Sequence, residues 1–262
     1  MIELKSRDEM DRIATGGAII GALYQEVRSR VLPGVSTGEL DRFAEEFIRS
    51  HEGAEPAFKG LYGFPGTVCA SINEEVVHGI PADDRILKEG DILSLDTGVR
   101  LDGWCSDSAW TFPVGEVAPA TARLLEVTEQ ALDAAIAAAV PGKHVGDIGH
   151  AVERAVKGSG FSIIRDLVGH GIGRKVHEQP QIPNRGRPGT GPALEEGMVL
   201  AIEPMIAIGT WRIRTMEDRW TMSTTDRRPS AHFEHTVGVT ADGPLILTRA
   251  LGPAVERGSP LP

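Results

Sequence analysis

The sequence has no apolar run able to cross a bilayer. Its longest aliphatic stretch, Ala134 to Val140, falls far short of the roughly 20 residues that a spanning helix needs. The opening residues, Met1-Ile2-Glu3-Leu4-Lys5-Ser6-Arg7-Asp8-Glu9, lack the apolar core of a secretory signal. Cysteine is nearly absent: only Cys69 and Cys105 occur, without zinc-finger or redox spacing. A single disulfide stays open, but a reduced, cytoplasmic setting fits two cysteines better. An excess of basic residues is also missing. Against 37 Asp and Glu stand 27 Lys and Arg, a net charge of -10, which argues against a broad nucleic-acid-binding face. A local basic patch is still compatible with that balance. What is present, 41% hydrophobic and 24% charged residues over 262 positions, is the make-up of an ordinary globular protein with a substantial core.

Punctuation along the chain predicts the helices. Ser6 with Glu9 forms a capping box that opens a helix running towards Val31, and Pro33-Gly34 breaks it. Ser36 with Glu39 opens a second, through Phe43, Phe47 and Ile48. A Gly- and Pro-containing loop, Gly53 to Gly66, carries Phe58, Leu61, Tyr62 and Phe64, and strand pieces follow at Val68 to Ser71 and Val76-Val77. After Pro113 the order starts again. Thr121 to Val140 is rich in Ala and Leu, Pro141-Gly142 breaks it, and another helix spans about Gly146 to Lys157.

The restart is an internal repeat. Pro33-Gly34-Val35-Ser36-Thr37-Gly38-Glu39-Leu40 matches Pro141-Gly142-Lys143-His144-Val145-Gly146-Asp147-Ile148 at an offset of 108. Leu87 to Asp96 matches Leu194 to Glu203 at an offset of 107. The chain therefore reads as two similar halves, each helix-helix-strands. Asp96 and Glu203 are equivalent, which suggests a site on a pseudo-twofold axis.

The stretch Leu93 to Asp107 reads as two strands joined by a tight turn at Leu101-Asp102-Gly103. A turn centred on Leu101-Asp102 sets Asp96 opposite Asp107, with Cβ atoms only about 5 Å apart. Two carboxylates that close repel unless a cation or a proton lies between them, and a metal is the simplest explanation. The second half adds Gly169-His170-Gly171-Ile172-Gly173-Arg174-Lys175-Val176-His177, Ile202-Glu203-Pro204 and His232-Phe233-Glu234-His235-Thr236. Glycines beside His170 let backbone approach closely and leave the imidazole accessible. On a strand, Phe233, His235, Val237 and Val239 share one face and Glu234 takes the other.

Each of these residues alone has a plain structural reading. His170 reads as a loop or core histidine, Asp107 as a turn cap, and Glu203 as a strand end before Pro204. His78 reads as the start of a bend, Trp220 as a core or surface aromatic, and Cys69 as a small buried group. Together, Asp96, Asp107, His170, Glu203 and Glu234 form an oxygen-rich set with one nitrogen. That composition suits paired divalent ions such as Mn, Fe, Co or Zn, able to activate water for attack on a carbonyl. His177 remains free to contact substrate.

These motifs, in this order and spacing, resemble type I methionine aminopeptidase, a family of metallopeptidases with the pita-bread fold. The resemblance covers the chain from the first helix to about Leu247. It implies an α+β architecture of two pseudo-symmetric halves, roughly residues 1–115 and 116–250 of a single catalytic domain, around a dimetal centre. Residues 251–262 read as a Pro-containing tail. It implies further that Asp96 chelates one metal, that Asp107 and Glu234 bridge both, and that His170 and Glu203 complete the other. Glu203 then shuttles a proton between a bridging hydroxide and the leaving amine. His177 stabilises the oxyanion or holds the scissile amide, and His78 positions the substrate backbone or helps transfer a proton. Phe58, Leu61, Phe64, Cys69, Val176 and Trp220 form the methionine pocket, and Asn73 and Ser230 match positions that hold a monovalent cation in some relatives. Leu61 and Val176 stand where many relatives carry aromatics, and Lys175 replaces a small residue.

The implied activity is removal of the initiator methionine from nascent proteins and peptides whose second residue is small. A monomer with transient ribosome association is also implied. A prolidase or aminopeptidase P is the nearest rival, but those enzymes carry an extra N-terminal domain for which this chain has no room. A pita-bread binding protein without catalysis would have lost ligands, and here all five are present.

Overall fold

Both opening helices begin where a serine, with a glutamate three residues on, requires them to. In the computed structural model, which describes residues 2–249, α1 (Arg7–Arg28) is capped by Ser6 and α2 (Thr37–Arg49) by Ser36, each in a reciprocal box with Glu9 or Glu39. Such a cap contributes about 0.5–2 kcal/mol. Helix α1 ends three residues before Val31, which enters the core from a turn. In the second half, α3 (Pro119–Ala137) and α4 (Val145–Val156) follow, and Asp147 accepts from the His144 amide at 2.8 Å to fix the start of α4. The Pro-containing tail expected over 251–262 lies outside the described residues.

The first half contributes β1 (Ala54–Pro56), β2 (Cys69–Ile72), β3 (Glu75–Val77), β4 (Ile92–Leu101) and β5 (Trp104–Pro113). Strands β1 and β2 pair along one edge of β4, and β5 along the other. The hairpin differs from the expectation in its register. Its turn is Asp102-Gly103, with φ of 50° and 77°, and Leu101 faces Trp104. Asp96 therefore lies opposite Ala109, and Asp107 opposite Gly98. The shift is two residues, an even number, so both carboxylates stay on one face and meet diagonally.

The second half contributes β6 (Ser162–Ile163), β7 (Val168–Gly171), β8 (Glu178–Pro183), β9 (Val199–Ile202), β10 (Met205–Ala207), β11 (Ile213–Thr215), β12 (Met222–Thr224), β13 (Ser230–His232), β14 (His235–Thr240) and β15 (Gly243–Ile246). Its main sheet runs β15-β14-β9-β7-β8. Two small sheets complete the fold, β13-β10-β6 and β11-β12-β3, the latter joining strands of both halves.

The internal repeat is structural. Bridges form at Ser36–Ile86 and again at His144–Ala193, offset by 108 and 107. Gly34 donates to the Leu87 carbonyl at 2.8 Å, as Gly142 does to that of Leu194 at 3.0 Å. Gly38 donates to Ala82 as Gly146 does to Thr190, and a Cβ on either glycine would collide with that returning loop. A continuous apolar core, including Ile20, Leu23, Leu93, Leu95, Leu124, Leu132, Ile202 and Val237, lies between the helices and the strands. Buried Tyr24 of α1 reaches through it, its hydroxyl 2.5 Å from the Ser108 carbonyl and 3.0 Å from that of Leu95. Helix α1 is thus pinned to the two residues that adjoin Asp107 and Asp96.

Candidate metal centre

The pairing just described brings carboxylates from both halves to one cavity. Asp96 projects from the middle of β4 and Asp107 from β5. The Asp107 amide donates to Thr236 Oγ1 at 3.0 Å, and that hydroxyl donates to the Asp107 carbonyl at 2.7 Å. Ser108 Oγ donates to the Glu234 carbonyl at 2.7 Å, and the Glu234 amide to Ala109 at 2.9 Å. These bonds knit β5 to the start of β14, so Asp107 and Glu234 become neighbours. Glu234 itself does not sit on a continuous strand, contrary to the expected alternation. Strand pairing stops at His232 and resumes at His235, and residues on both sides of Glu234 are buried. Glu203 follows β9 directly, its carbonyl held by Asn184 Nδ2 at 3.0 Å.

His170 lies on β7, where glycines flank it for a reason of contact. A Cβ at Gly169 would strike the Ala201 carbonyl, and one at Gly171 the Gln179 carbonyl. The imidazole Nδ1 is within 2.9 Å of the Gly171 carbonyl, which fixes Nδ1 as the donor and leaves Nε2 as the acceptor facing the acids. Nε2 stands 3.6 Å from Glu203 Oε1 and 3.8 Å from Asp107 Oδ2. Ligand atoms of Asp107, His170 and Glu234 all lie within 4.8 Å of one another.

Four carboxylates in one buried pocket cannot all ionise without compensation. Burial, together with the neighbouring Glu203, holds Asp96 up at about 7, and burial lifts Glu203 to about 8. Asp107 and Glu234 are raised by burial first and then by the other acids. Burial pushes His170 down to about 4, so it is a neutral nitrogen donor at neutral pH. Asp96 Oδ1, Asp107 Oδ1 and Glu234 Oε1 are buried without a hydrogen-bond partner. Desolvated carboxylate oxygens cost several kcal/mol each unless a cation meets them. Oxygen-rich donors with one imidazole fit a hard or borderline divalent ion.

The cavity has a volume of about 520 Å³. Phe58, Leu61, Phe64, Cys69, His78, His177 and Trp220 line it together with the five ligand-type residues. Val176 does not: it is buried behind the wall, packed with Phe58, Phe64 and Cys69, because the chain turns between it and His177. Lys175 is exposed and outside the lining. His177 stands exposed at the rim, its ring 4.5 Å from that of His170. His78 sits at φ 59°, edge-on to Trp220 at 6.4 Å, and burial pushes it down to about 4. Asn73 and Ser230 come together away from the cavity. The Asn73 amide is already used by Asp91 and the Ile92 amide, so only its carbonyl faces Ser230.

Among the lining residues without a role in the sequence reading are Tyr62 and His232. Tyr62, from the Gly53–Gly66 loop, stacks on His177 at 5.9 Å, and loops offer no period from which to place it. His232 faces the acids, and a signal existed: it stands two residues before Glu234.

A model of metallopeptidase family M24 matches residues 11–241. A methionine aminopeptidase of Clostridium perfringens is 49% identical over 248 residues, covering 95% of this chain and 99% of that protein. Methionine aminopeptidase 1 of Bacillus subtilis is 47% identical over 249 residues, covering 95% and 100%. The crystal structure of a Thermotoga maritima methionine aminopeptidase superposes with a TM-score of 0.92 at 43% identity, covering 95% of this chain and 99% of that one.

Proposed function

The chain belongs to metallopeptidase family M24, in its methionine aminopeptidase branch and with the pita-bread fold, and from that premise we propose how it works as a metal-dependent hydrolase. It removes the N-terminal methionine from polypeptides whose second residue is small. The observation that carries the reading is the buried ring of four carboxylates and one imidazole, with orphaned oxygens, at the floor of a cavity with apolar walls.

Asp96, Asp107, His170, Glu203 and Glu234 hold two divalent ions, since two such charges balance four carboxylates. What Mn, Fe, Co or Zn supplies there is Lewis acidity, which lowers the proton affinity of water and polarises the scissile carbonyl. Glu203, lifted by burial to about 8, takes a proton from water and passes it to the leaving amine. His177, at the rim, donates to the carbonyl oxygen of the scissile bond, and His78 orients the substrate backbone. Phe58, Leu61, Phe64, Cys69 and Trp220 enclose the methionine side chain, with Val176 as support behind them. Residues 1–250 act as one catalytic domain, because the ligands come from both halves. Asn73 and Ser230 are kept as a monovalent-cation position.

The substrates are nascent chains, which makes the cytoplasm, transient contact with the ribosome and a monomeric enzyme the fitting setting. Among the described residues no helix is long and apolar enough to cross a membrane. The test is release of methionine from Met-Ala-Ser by chelated protein titrated with each metal, beside Gly-Pro and Met-Lys peptides. Metal-dependent cleavage of Met-Ala-Ser alone is expected. Cleavage of Gly-Pro instead, or silence with every metal in folded protein, overturns the reading.

A further inference from the structure

His232 is 2% exposed, lines the cavity, and has no hydrogen-bond partner on either ring nitrogen. An imidazole buried in this way is costly unless a bound group uses it. Its neighbour in the same motif makes the contrast. His235 is also buried, but its Nδ1 lies 3.0 Å from Thr248 Oγ1 and its ring packs beside Trp110. The backbone of His232 is firmly held, its amide donating to Thr111 Oγ1 at 2.9 Å and its carbonyl accepting from that hydroxyl at 2.8 Å. The side chain is therefore aimed by a fixed strand. It is aimed at Glu203: His232 Nε2 stands 3.6 Å from Oε2, while His170 Nε2 stands 3.6 Å from Oε1. Two imidazoles bracket one carboxylate.

We infer that His232 is a positioning residue of the metal centre: its Nε2–H holds Glu203 Oε2, which presents Oε1 to the cation that His170 ligates. The separation of 3.6 Å is just beyond a hydrogen bond, and a small rotation of the Glu203 side chain as it meets an ion closes it. The inference rests on the proposed metal-binding role of Glu203. Outer-shell partners of this kind orient the ligand and raise its affinity for metal, and losing one costs about 10–100-fold.

The experiment is calorimetric titration of chelated wild type, His232→Leu and His232→Gln with Co(II), alongside the melting temperature of each metal-free protein. His232→Leu is expected to weaken the tightest Co(II) step 10–100-fold, and His232→Gln, whose amide still donates, to restore it to within about threefold. The metal-free His232→Leu protein is expected to melt at or above the wild-type temperature, because an unpartnered polar group has been removed. Equal Co(II) affinity in wild type and His232→Leu overturns the inference. So does a Gln variant as weak as the Leu variant, which would make His232 a direct ligand, or a Leu variant whose metal-free form melts well below wild type, which would make the role structural. If wild type itself binds no Co(II), the fault lies in the metal-centre reading instead.

Discussion

The two halves of the molecule share a plan and differ in what they place on it. Asp96 on β4 and Glu203 just past β9 are equivalent acids, each followed by a further acid, Asp107 on β5 or Glu234 just before β14. The partner strands diverge. Ser71 faces Ser94 in the first half, and His170 faces Ala201, the counterpart of Ser94, in the second. The Ser71 hydroxyl is spent on the Gly79 amide at 3.1 Å, whereas His170 turns Nε2 into the cavity. Seven residues on from each come His78 and His177, so each half also supplies one imidazole to the cavity wall. Around the cluster of acids, a duplicated scaffold thus sets carboxylates alone from the first half and carboxylates with the His170 nitrogen from the second. The asymmetry is chemical while the backbone stays alike, and under the proposed two-metal reading it makes the two cation positions unequal.

The strongest way to break the comparison is at the junction the halves share. Asp107→Asn or Glu234→Gln removes one of the buried acids proposed to hold metal and is expected to lower kcat/KM on Met-Ala-Ser by about 10³-fold or more, as loss of metal activation does. The same variants are expected to melt higher than wild type when metal-free, because one of four mutually raised carboxylates is gone. Lower activity with a lower metal-free melting temperature would instead mark these acids as structural. Next in size, His170→Ser makes the halves chemically alike. It is expected to weaken the tighter of two Co(II) binding steps by about 10²-fold and leave the weaker within threefold. Equal loss at both steps would refute the assignment of nitrogen to one side.

A third prediction follows from protons. Asp96 and Glu203 titrate at about 7 and about 8 in the metal-free fold, above ordinary carboxylates in an unfolded chain. The folded state then binds more protons than the unfolded state, so stability falls as pH rises through that range. Buried His78 and His170, pushed down to about 4, act oppositely, but their contribution is complete once unfolded histidine has lost its proton, about one unit above pH 6.5. Between about pH 7.5 and 8.5 the acids dominate. The metal-free melting temperature is expected to drop by a few degrees across that window, and saturating metal to abolish the drop. A flat metal-free profile would show that these acids are not held together as described.

The repeat and its caps were legible because Pro-Gly breaks and Ser-x-x-Glu boxes are local signals, and the offset survived in the bridges at Ser36 and His144. The face shared by Asp96 and Asp107 was legible too, since side chains alternate with period two. Their register was not, because it depends on whether the turn uses Leu101 or Gly103, a choice made by φ at Asp102 and Gly103. The break at Glu234 escaped periodicity because β14 pairs with β9 only from His235 onward, a tertiary fact. Val176, expected in the pocket, lies behind its wall for a similar reason, while Tyr62, given no role, lines it from the exposed rim. In a loop, hydrophobicity says that a side chain will be buried but not on which side of the cavity wall.

The smallest predicted effect tests how far the asymmetry extends beyond the ligands. Lys175 stands two residues before His177 on the second-half rim, its amide donating to Glu178 Oε1 at 3.1 Å while its side chain is exposed. A solvated ammonium there acts on a bound peptide only through screened Coulomb interaction, and the Debye length is about 8 Å at physiological salt. Lys175→Gly is therefore expected to raise kcat/KM for Met-Ala-Lys relative to Met-Ala-Glu by only about two- to threefold, and only at low ionic strength. At 1 M salt, where screening acts within about 3 Å, the ratio should match that of wild type. An effect that persists at high salt would have to come from changed backbone at Gly173 to His177 and not from charge. No effect at low salt would place Lys175 beyond reach of the substrate and confine the difference between the halves to the imidazoles.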